Sequence, residues 1–364
     1  MNGPKIVIGL SGGVDSSVAA YLLKEQGYDV LGVTMQTIPV QEGVRGEHGD
    51  LQMIEDAKKV ADYLGIPHYI ADFQKEFKQY VTDYFVREYL EGRTPNPCII
   101  CNRMVKWEAL LSYGKKLGAS QIATGHYARI DRLSNGRYAL KQAASSAKDQ
   151  TYALYNLTQE QLAATVMPVG QYEKEEIRAI AERAGIPVAN KPDSQEICFI
   201  PDNNYARYIE KKSGKKVPEG NYVTGDGTVV GRHKGIIHYT IGQRKGLNLS
   251  MGRPVFVREI RPETNEVVVG ENEDVFASAL TCTKLNWMAV DKVTKGMEVS
   301  AKIRYNHKGE NCVLEPLEQG EVLCRFKRPV RAVTPGQAVV FYQNGYVAGG
   351  GIIIGKTEDT GNLV

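Results

Sequence analysis

The sequence predicts an α/β protein with a parallel-sheet domain first, a small central domain next, and a β-barrel or sandwich at the C-terminal end. Three observations carry this reading. Strand and helix periodicities alternate through the first part of the chain, the pattern of βαβ crossovers and so of a parallel sheet with helices on both faces. After about residue 200 the helical period gives way to short β-rich segments broken by Gly, Pro and Asn-Gly. At 364 residues the chain is also too long for one ordinary core.

The elements follow in order. Lys5 to Leu10 is an apolar, β-branched run, and within Ser16 to Gln26 the residues Val18, Ala19, Leu22 and Leu23 recur at helical spacing. Val30 to Met35 and His68 to Ala71 read as strands, and Leu51 to Leu64 and Phe73 to Leu90 as helices. Gln36 to Asp50, rich in glycine and charge, reads as a mobile surface loop. Met104 to Leu117 is a helix. Gln121 to Thr124 is a strand ending in the turn Gly125-His126-Tyr127, and Arg129 to Leu140 is a hairpin around Asn135-Gly136. Asp149 to Leu157 and Glu173 to Ala184 look helical. Lys211 to Lys216 reads as a basic loop, and Val255 to Val269 and the run from Leu280 onward as alternating strands.

Hydrophobic residues at 42% and charged residues at 24% exclude disordered and fibrous classes. A net charge of +3 describes a mixed solvated surface, with which a local phosphate-binding face is compatible. The start MNGPKIVIGL enters a strand without a leader pattern, and no run approaches the roughly 20 apolar residues that span a bilayer. The expectation is a cytoplasmic protein that avoids membranes, with its six cysteines kept as thiols.

Chemistry enters at Leu10-Ser11-Gly12-Gly13-Val14-Asp15-Ser16-Ser17, between a buried strand and a helix. Paired glycines let the backbone approach a ligand, and the N–H groups of a helix start attract an anion. Asp15 beside phosphates makes sense if it orders the loop or holds Mg²⁺. The pattern GxxxxGK[ST] is absent, so this is not a Walker loop. SGGVDSS resembles the signature SGGxDS of the PP-loop ATP pyrophosphatases, whose fold is of the adenine nucleotide alpha hydrolase type. The resemblance implies ATP, accompanied by Mg²⁺, against Gly9, Leu10, Ser11, Gly12, Gly13, Val14, Asp15 and Ser16, with Met35 and Gly125 near the adenosine.

Cys98 and Cys101 lie in TPNPCIICNR, read as an extended loop that Asn96-Pro97 keeps from being helical, and Cys198 lies in KPDSQEICFI. No second CxxC completes a zinc site. Cys282, Cys312 and Cys324 fall on strand-like segments and read as buried small hydrophobes. TPNPCxxCN, GHYA, KPDSQEICF, YTIGQRKGL at Tyr239 to Leu247 and RAVTPGQAVVFY at Arg331 to Tyr342 together resemble one branch, the tRNA-specific 2-thiouridylases, over essentially the whole chain.

This likeness implies a PP-loop catalytic domain over 1–200, a central domain over 201–277 and a tRNA-binding β-barrel over 278–364. It implies adenylylation of the C2 oxygen of a wobble uridine, then sulfur transfer. Cys198 would carry a persulfide and Cys101 act as nucleophile, ending as a Cys101–Cys198 disulfide. Asn96, Pro97 and Cys98 would face the base. His126, Lys148, Asp149, Gln150, Arg304, Tyr305 and Gln337 would contact tRNA, and Lys211, Lys212, Lys215 and Lys216 add a possible phosphate-binding stretch. Some relatives carry Asp at the position of Cys98, so proton or sulfide handling there is open. An alternative gathers Cys98, Cys101 and Cys198 around a [4Fe–4S] cluster. The expected tRNAs are those for lysine, glutamate and glutamine, and the expected sulfur donor is a cysteine desulfurase or relay protein. Other readings are a different PP-loop enzyme, such as a 4-thiouridine or amide-forming ligase, and a non-catalytic RNA-binding module.

Overall fold

The computed structural model describes residues 3–39, 49–192, 197–200 and 202–357. Most of the expected surface loop at 36–50 and the centre of KPDSQEICF lie outside the described residues. The chain forms two compact units, one of Met1–Thr82, Cys98–Asn203 and Asn344–Val347, the other of Asp83–Pro97, Asn204–Gln343 and Ala348–Val364.

The first unit is built on a parallel sheet. Its strands are β1 (Lys5–Gly9), β2 (Asp29–Gln36), β3 (His68–Asp72), β4 (Gln121–Ala123) and β7 (Thr165–Val166), ordered β3-β2-β1-β4-β7. Between β4 and β7 the hairpin strands β5 (Arg129–Arg132) and β6 (Tyr138–Lys141) turn at Gly136, whose φ is +83°. Central β1 pairs with β2 from Lys5↔Asp29 to Gly9↔Val33 and with β4 from Ile6↔Gln121 to Ile8↔Ala123. Both of its edges are paired, and Ile6 to Gly9 are buried without alternation, which is why IVIG is a continuous apolar run. Ile6 and Ile8 pack with residues of α1 (Val14–Glu25), α2 (Gly49–Leu64) and a later helix, Lys174–Arg183. Val7 points the other way, where a Cβ on Gly114 would stand 3.5 Å from its side chain. Leu10 continues the β1 line, with its N–H on Val33 O at 2.9 Å and its carbonyl accepting Thr34 Oγ1 at 2.9 Å. The loop that follows thus leaves the sheet from a fixed point at the carboxyl end of β1.

Of two long helical stretches, one matches its sequence reading and one differs from it. Residues 74–90 are helical throughout, with a π-helical middle at Lys78–Thr82. The helix expected from Met104 begins earlier, at Pro97, and runs to 116 through a π-helical section, Asn102–Ala109. The extended reading of TPNPCIIC therefore holds only up to Asn96. Proline is tolerated in the first helical turn because its missing N–H would have no intrahelical partner there. Cys98 and Cys101 consequently occupy a helical turn, three positions apart on neighbouring faces.

In the second unit, Tyr205–Ser213 is a helix, with Asn204 Oδ1 accepting Arg207 N–H at 3.0 Å and Gly214 closing it at φ +66°. Lys211 and Lys212 sit in its last turn and not in the expected loop, a placement that the helix dipole favours. A four-stranded sheet follows, with order β10-β11-β8-β9 over β8 (Gly220–Val223), β9 (Val229–His233), β10 (Phe256–Arg261) and β11 (Glu266–Gly270). The last strands are β12 (Phe276–Trp287), β13 (Met297–Lys302), β14 (Glu310–Pro316), β15 (Val322–Arg331), β16 (Ala338–Gln343) and β17 (Tyr346–Thr357). They run in the order β12-β15-β14-β13-β16-β17, and pairing of β12 with β17 closes them into a barrel. Cys282, Cys312 and Cys324 are buried in its core beside Leu280, Leu314 and Phe341. Burial pushes the Cys282 and Cys324 thiols far up, so all that these side chains offer is apolar volume. Among the described residues no helix is long and apolar enough to cross a membrane.

Candidate active site

The glycine-rich segment leads into an open helix start of the kind that suits an anion. Gly13 precedes α1 with φ −101° and ψ 163°, and no side chain caps the helix, so its first N–H groups point into the loop. Gly12 adopts φ +62°, and a Cβ there would stand 2.7 Å from Met53 O on α2. Glycine is needed for both reasons. Hydroxyls knit the turn. Ser11 N–H donates to Ser16 Oγ at 3.2 Å, and Ser16 Oγ and Ser17 Oγ donate to Gly13 O at 3.2 and 2.8 Å. Ser11 and Ser16 Oγ lie 3.2 Å apart, with Ser11 exposed at the mouth. A Cβ on Gly9 would stand 3.3 Å from Met35 Cε, so Met35 sits over the carboxyl end of β1. Gly125 packs on the loop itself, since a Cβ there would come within 2.6 Å of Ser16 N.

Asp15 faces inward to a fixed pair of partners. Its Oδ1 accepts the Tyr127 hydroxyl at 2.7 Å and the Lys174 ammonium at 2.7 Å. The Lys174 ammonium also lies 5.7 Å from the centre of the Tyr127 ring, and its side chain is only 8% exposed. Asp15 and Lys174 thus form a largely buried ion pair beside the loop, each supplying the charge that the other needs. A second lysine, Lys191, donates to Gly12 O at 3.0 Å and pairs with Asp56 Oδ2 at 2.8 Å. The carboxyl of Asp56 is held below its ordinary range: burial opposes ionisation, and its bonds to Lys191 and Gln52 outweigh burial. Sequence reading assigned no role to Tyr127, Lys174, Asp56 or Lys191. Tyr127 and Lys191 stand inside the quoted motifs GHYA and KPDSQEICF, whereas nothing local marks Lys174 or Asp56.

The thiols form a second region of the same unit. Cys98 and Cys198 are exposed and Cys101 is buried. Burial pushes the Cys101 thiol up to about 12, and charge at Cys198 and Cys98 pushes the same way, so both lie within electrostatic reach of it. Among the described residues only Lys106, on the π-helical section, works in the opposite direction. Lys106 also acts on His126, whose basicity falls well below the ordinary imidazole range through burial first and this cation second. His126 is therefore neutral near pH 7, with Nδ1 at 3.0 Å from Thr124 Oγ1 and its ring 5.3 Å from Trp107. Beside Cys101, buried Asn102 donates Nδ2–H to Ala153 O at 2.9 Å and leaves Oδ1 without a partner among the described residues. Phe199 next to Cys198 is buried edge-on against Phe77, ring centres 5.6 Å apart, which anchors that segment.

The remaining predicted contacts divide. Gln150 Oε1 accepts Tyr127 N–H at 2.8 Å, and buried Asp149 accepts Ala143 N–H at 3.0 Å and Thr151 Oγ1 at 2.6 Å. Gln150, whose own N–H donates to Tyr127 O at 2.9 Å, braces the turn that carries His126 and Tyr127, while Asp149 holds the chain at Ala143. Half-buried Lys148 precedes them, its N–H on Ser145 O at 3.2 Å. Asn96, Pro97, Arg304, Tyr305 and Gln337 belong to the second unit. There Arg304 Nη1 donates to Arg331 O at 3.2 Å, Tyr305 is 43% exposed, and Gln337 Nε2 donates to Thr94 O at 2.8 Å.

A parallel sheet whose central strand ends in an uncapped glycine cradle, with thiols in the same unit, defines an ATP-using enzyme of the PP-loop class. Family profiles agree across the chain. Residues 4–202 match a tRNA methyl transferase HUP domain, 206–271 a tRNA methyl transferase PRC-barrel domain, and 277–353 an aminomethyltransferase beta-barrel domain. The chain is 61% identical to the tRNA-specific 2-thiouridylase MnmA of Lachnoclostridium phytofermentans, over 96% of this chain and 99% of the relative. It is 53% identical to MnmA of Clostridium perfringens over 97% and 99%, and 51% identical to that of Clostridium acetobutylicum over 96% and 99%. The chain belongs to the tRNA-specific 2-thiouridylase family.

Proposed function

We propose that this protein converts a wobble uridine of tRNA to 2-thiouridine, spending ATP to AMP and pyrophosphate. The observation that carries the reading is one unit holding both an uncapped, glycine-rich helix start, which suits a leaving pyrophosphate, and three thiols, one buried and two exposed. The family profiles speak of methyl transfer and the relatives' names of thiolation. A phosphate cradle with thiols fits the second.

The C2 oxygen of uridine attacks the α-phosphorus of Mg·ATP, and pyrophosphate departs into the loop Gly9–Ser16, near Lys174. Mg²⁺ arrives with the nucleotide, and Asp15 orders the loop through Tyr127 and Lys174. The terminal sulfur of a Cys198 persulfide then attacks C2 and displaces AMP. Cys101 attacks the Cys198 sulfur, its proton leaving to solvent or base, and the C2–sulfur bond is kept as the S–S bond breaks. The product is 2-thiouridine and a Cys101–Cys198 disulfide, which two electrons from an external thiol reopen. Exposure of Cys198 suits loading by a cysteine desulfurase or relay protein. Burial keeps Cys101 protonated and unreactive until substrate binding changes its surroundings.

The uridine is splayed from the anticodon loop, as base chemistry requires. Asn96, Pro97 and Cys98 would meet it, and Lys148, Arg304 and Tyr305 would contact the tRNA, with lysine, glutamate and glutamine acceptors as substrates. His126, neutral at pH 7, would serve by hydrogen bonding or stacking and not by pairing with phosphate. A [4Fe–4S] cluster fits less well. Among the described residues no three His, Cys, Asp or Glu side chains converge to hold a metal, so no step is assigned to one. The test is nucleoside mass spectrometry of tRNA incubated with Mg·ATP and a persulfide donor. 2-Thiouridine that depends on ATP is expected, and its absence with correctly folded protein contradicts the assignment.

A further inference from the structure

We propose that Asn102 selects uridine at the thiolation site, its side-chain carbonyl accepting the N3–H of the target base. The inference deepens the function proposed above and rests on it, with Cys101 as the nucleophile and Cys198 as the sulfur carrier.

Uracil and cytosine carry the same C2 carbonyl, so chemistry aimed at C2 does not by itself tell them apart. Their Watson–Crick edges differ at C4 and at N3, which is a donor in uracil and an acceptor in cytosine. N3 is bonded to C2. A group beside the sulfur chemistry therefore reads the base at N3 over the shortest range.

Asn102 carries such a group. It directly follows Cys101, where the helical turn Pro97–Cys101 passes into the π-helical section, and it lies four positions after Cys98, about one turn along the helix. The residue is only 3% exposed. Its Nδ2–H donates to Ala153 O at 2.9 Å. A backbone carbonyl can only accept, so this bond fixes the orientation of the amide and leaves Oδ1 as the end that needs a donor. Oδ1 has no partner among the described residues, and in the described part of the first unit it is the one buried side-chain nitrogen or oxygen so left.

The polar groups around it are satisfied. Arg103 Nη1 donates to Asn156 Oδ1 at 2.9 Å, Arg103 O accepts Gln161 Nε2 at 3.1 Å, and Trp107 Nε1 donates to Thr165 Oγ1 at 2.8 Å. A buried acceptor without a donor costs stability, and its place beside the nucleophile is explained by a donor that arrives with the substrate. Approach of the base to the sulfur uncovers Cys101, and Asn102 next to it meets the adjoining N3–H. Cytosine would set its N3 lone pair against Oδ1, two acceptors face to face. Turning the amide to offer its NH₂ instead would break the bond to Ala153 and oppose two carbonyl oxygens, so the site does not adapt to the wrong base.

The test is tRNA-dependent ATP–pyrophosphate exchange by the full chain, with two transcripts that differ only in uridine or cytidine at the wobble position. Wild type should favour the uridine transcript by at least about 100-fold, because the wrong base leaves a buried polar group unpaired. In Asn102→Ala that ratio should narrow by about tenfold or more, the worth of one buried hydrogen bond. Loss of equal size on both transcripts is what a mere brace on Ala153 would give, and it overturns the proposal. Equal use of the two transcripts by wild type overturns it as well, even if Asn102→Ala fails to fold. Exchange on neither transcript by folded wild type is a separate result, which contradicts the adenylylation reading on which the proposal rests.

Discussion

Two regions of the first compact unit, the loop at Ser11–Ser17 and the thiols at Cys98, Cys101 and Cys198, differ in how much of their chemistry is already in place. In the loop the hydroxyls are bonded, the helix start is open, and Asp15 is fixed by a tyrosine and a buried lysine. At the thiols, Cys101 is buried and protonated while Cys198 is exposed. The difference suits the two half-reactions. Stabilising a leaving pyrophosphate calls for dipoles fixed in advance, because reorganising them during the reaction costs free energy. A thiolate held ready in the free enzyme would instead be open to oxidation and stray exchange.

The largest expected effect lies on the thiol side. With its thiol pushed to about 12, Cys101 should carry about a thousandfold less thiolate at pH 8 than an ordinary cysteine. Its iodoacetamide rate should climb tenfold per pH unit toward 12, where a free thiol levels off near pH ~8.5. A plateau below pH 9 would show that the site is preactivated and erase the contrast. The same shift makes Cys101 favour the folded state below the ordinary thiol range, a contribution lost as pH rises through about 12.

On the loop side, Gly125→Ala places a methyl against Ser16 N at 2.6 Å and should lower ATP cleavage by about 100-fold while leaving Cys198 alkylation unchanged. Asp15→Asn leaves Lys174 without its counter-charge. A loss of about 2 kcal/mol in stability and roughly 30-fold in pyrophosphate release is expected, from denaturant melts and a coupled phosphate assay. Lys106→Met should do least: removing the one cation that favours the Cys101 thiolate should slow its alkylation only ~3-fold, without touching ATP binding.

Much of this was legible in the sequence, for reasons that differ by region. KIVIGL-SGGVDSS announces itself because one short stretch contains strand, cradle and helix, so local spacing is enough. The partners of the loop are distant in sequence. Lys174 lies 159 residues from Asp15 and Lys191 lies 179 from Gly12, and only the sheet brings them together. The start of the helix at Pro97 was hidden for a different reason. Proline reads as a breaker inside a helix but is well suited to its first turn, and a helix start lacks the apolar periodicity that reveals a helix interior. The lysine run at 211–216 misled in a similar way, its charge masking the short stripe Tyr205, Ala206 and Ile209 that docks the helix. The C-terminal domain was foreseen as a β-barrel or sandwich, and the choice between them depends on the pairing of β12 with β17 at the two ends of the domain.

The separation of the two regions is the central claim, and it is tested most directly by ATP–pyrophosphate exchange measured beside 2-thiouridine yield in Cys101→Ser and Cys198→Ser. With tRNA present, exchange should stay within a few fold of wild type in both variants, because no thiol takes part in adenylylation, while 2-thiouridine should disappear. Thiolation that survives in both variants, or exchange that collapses together with it, would contradict the account.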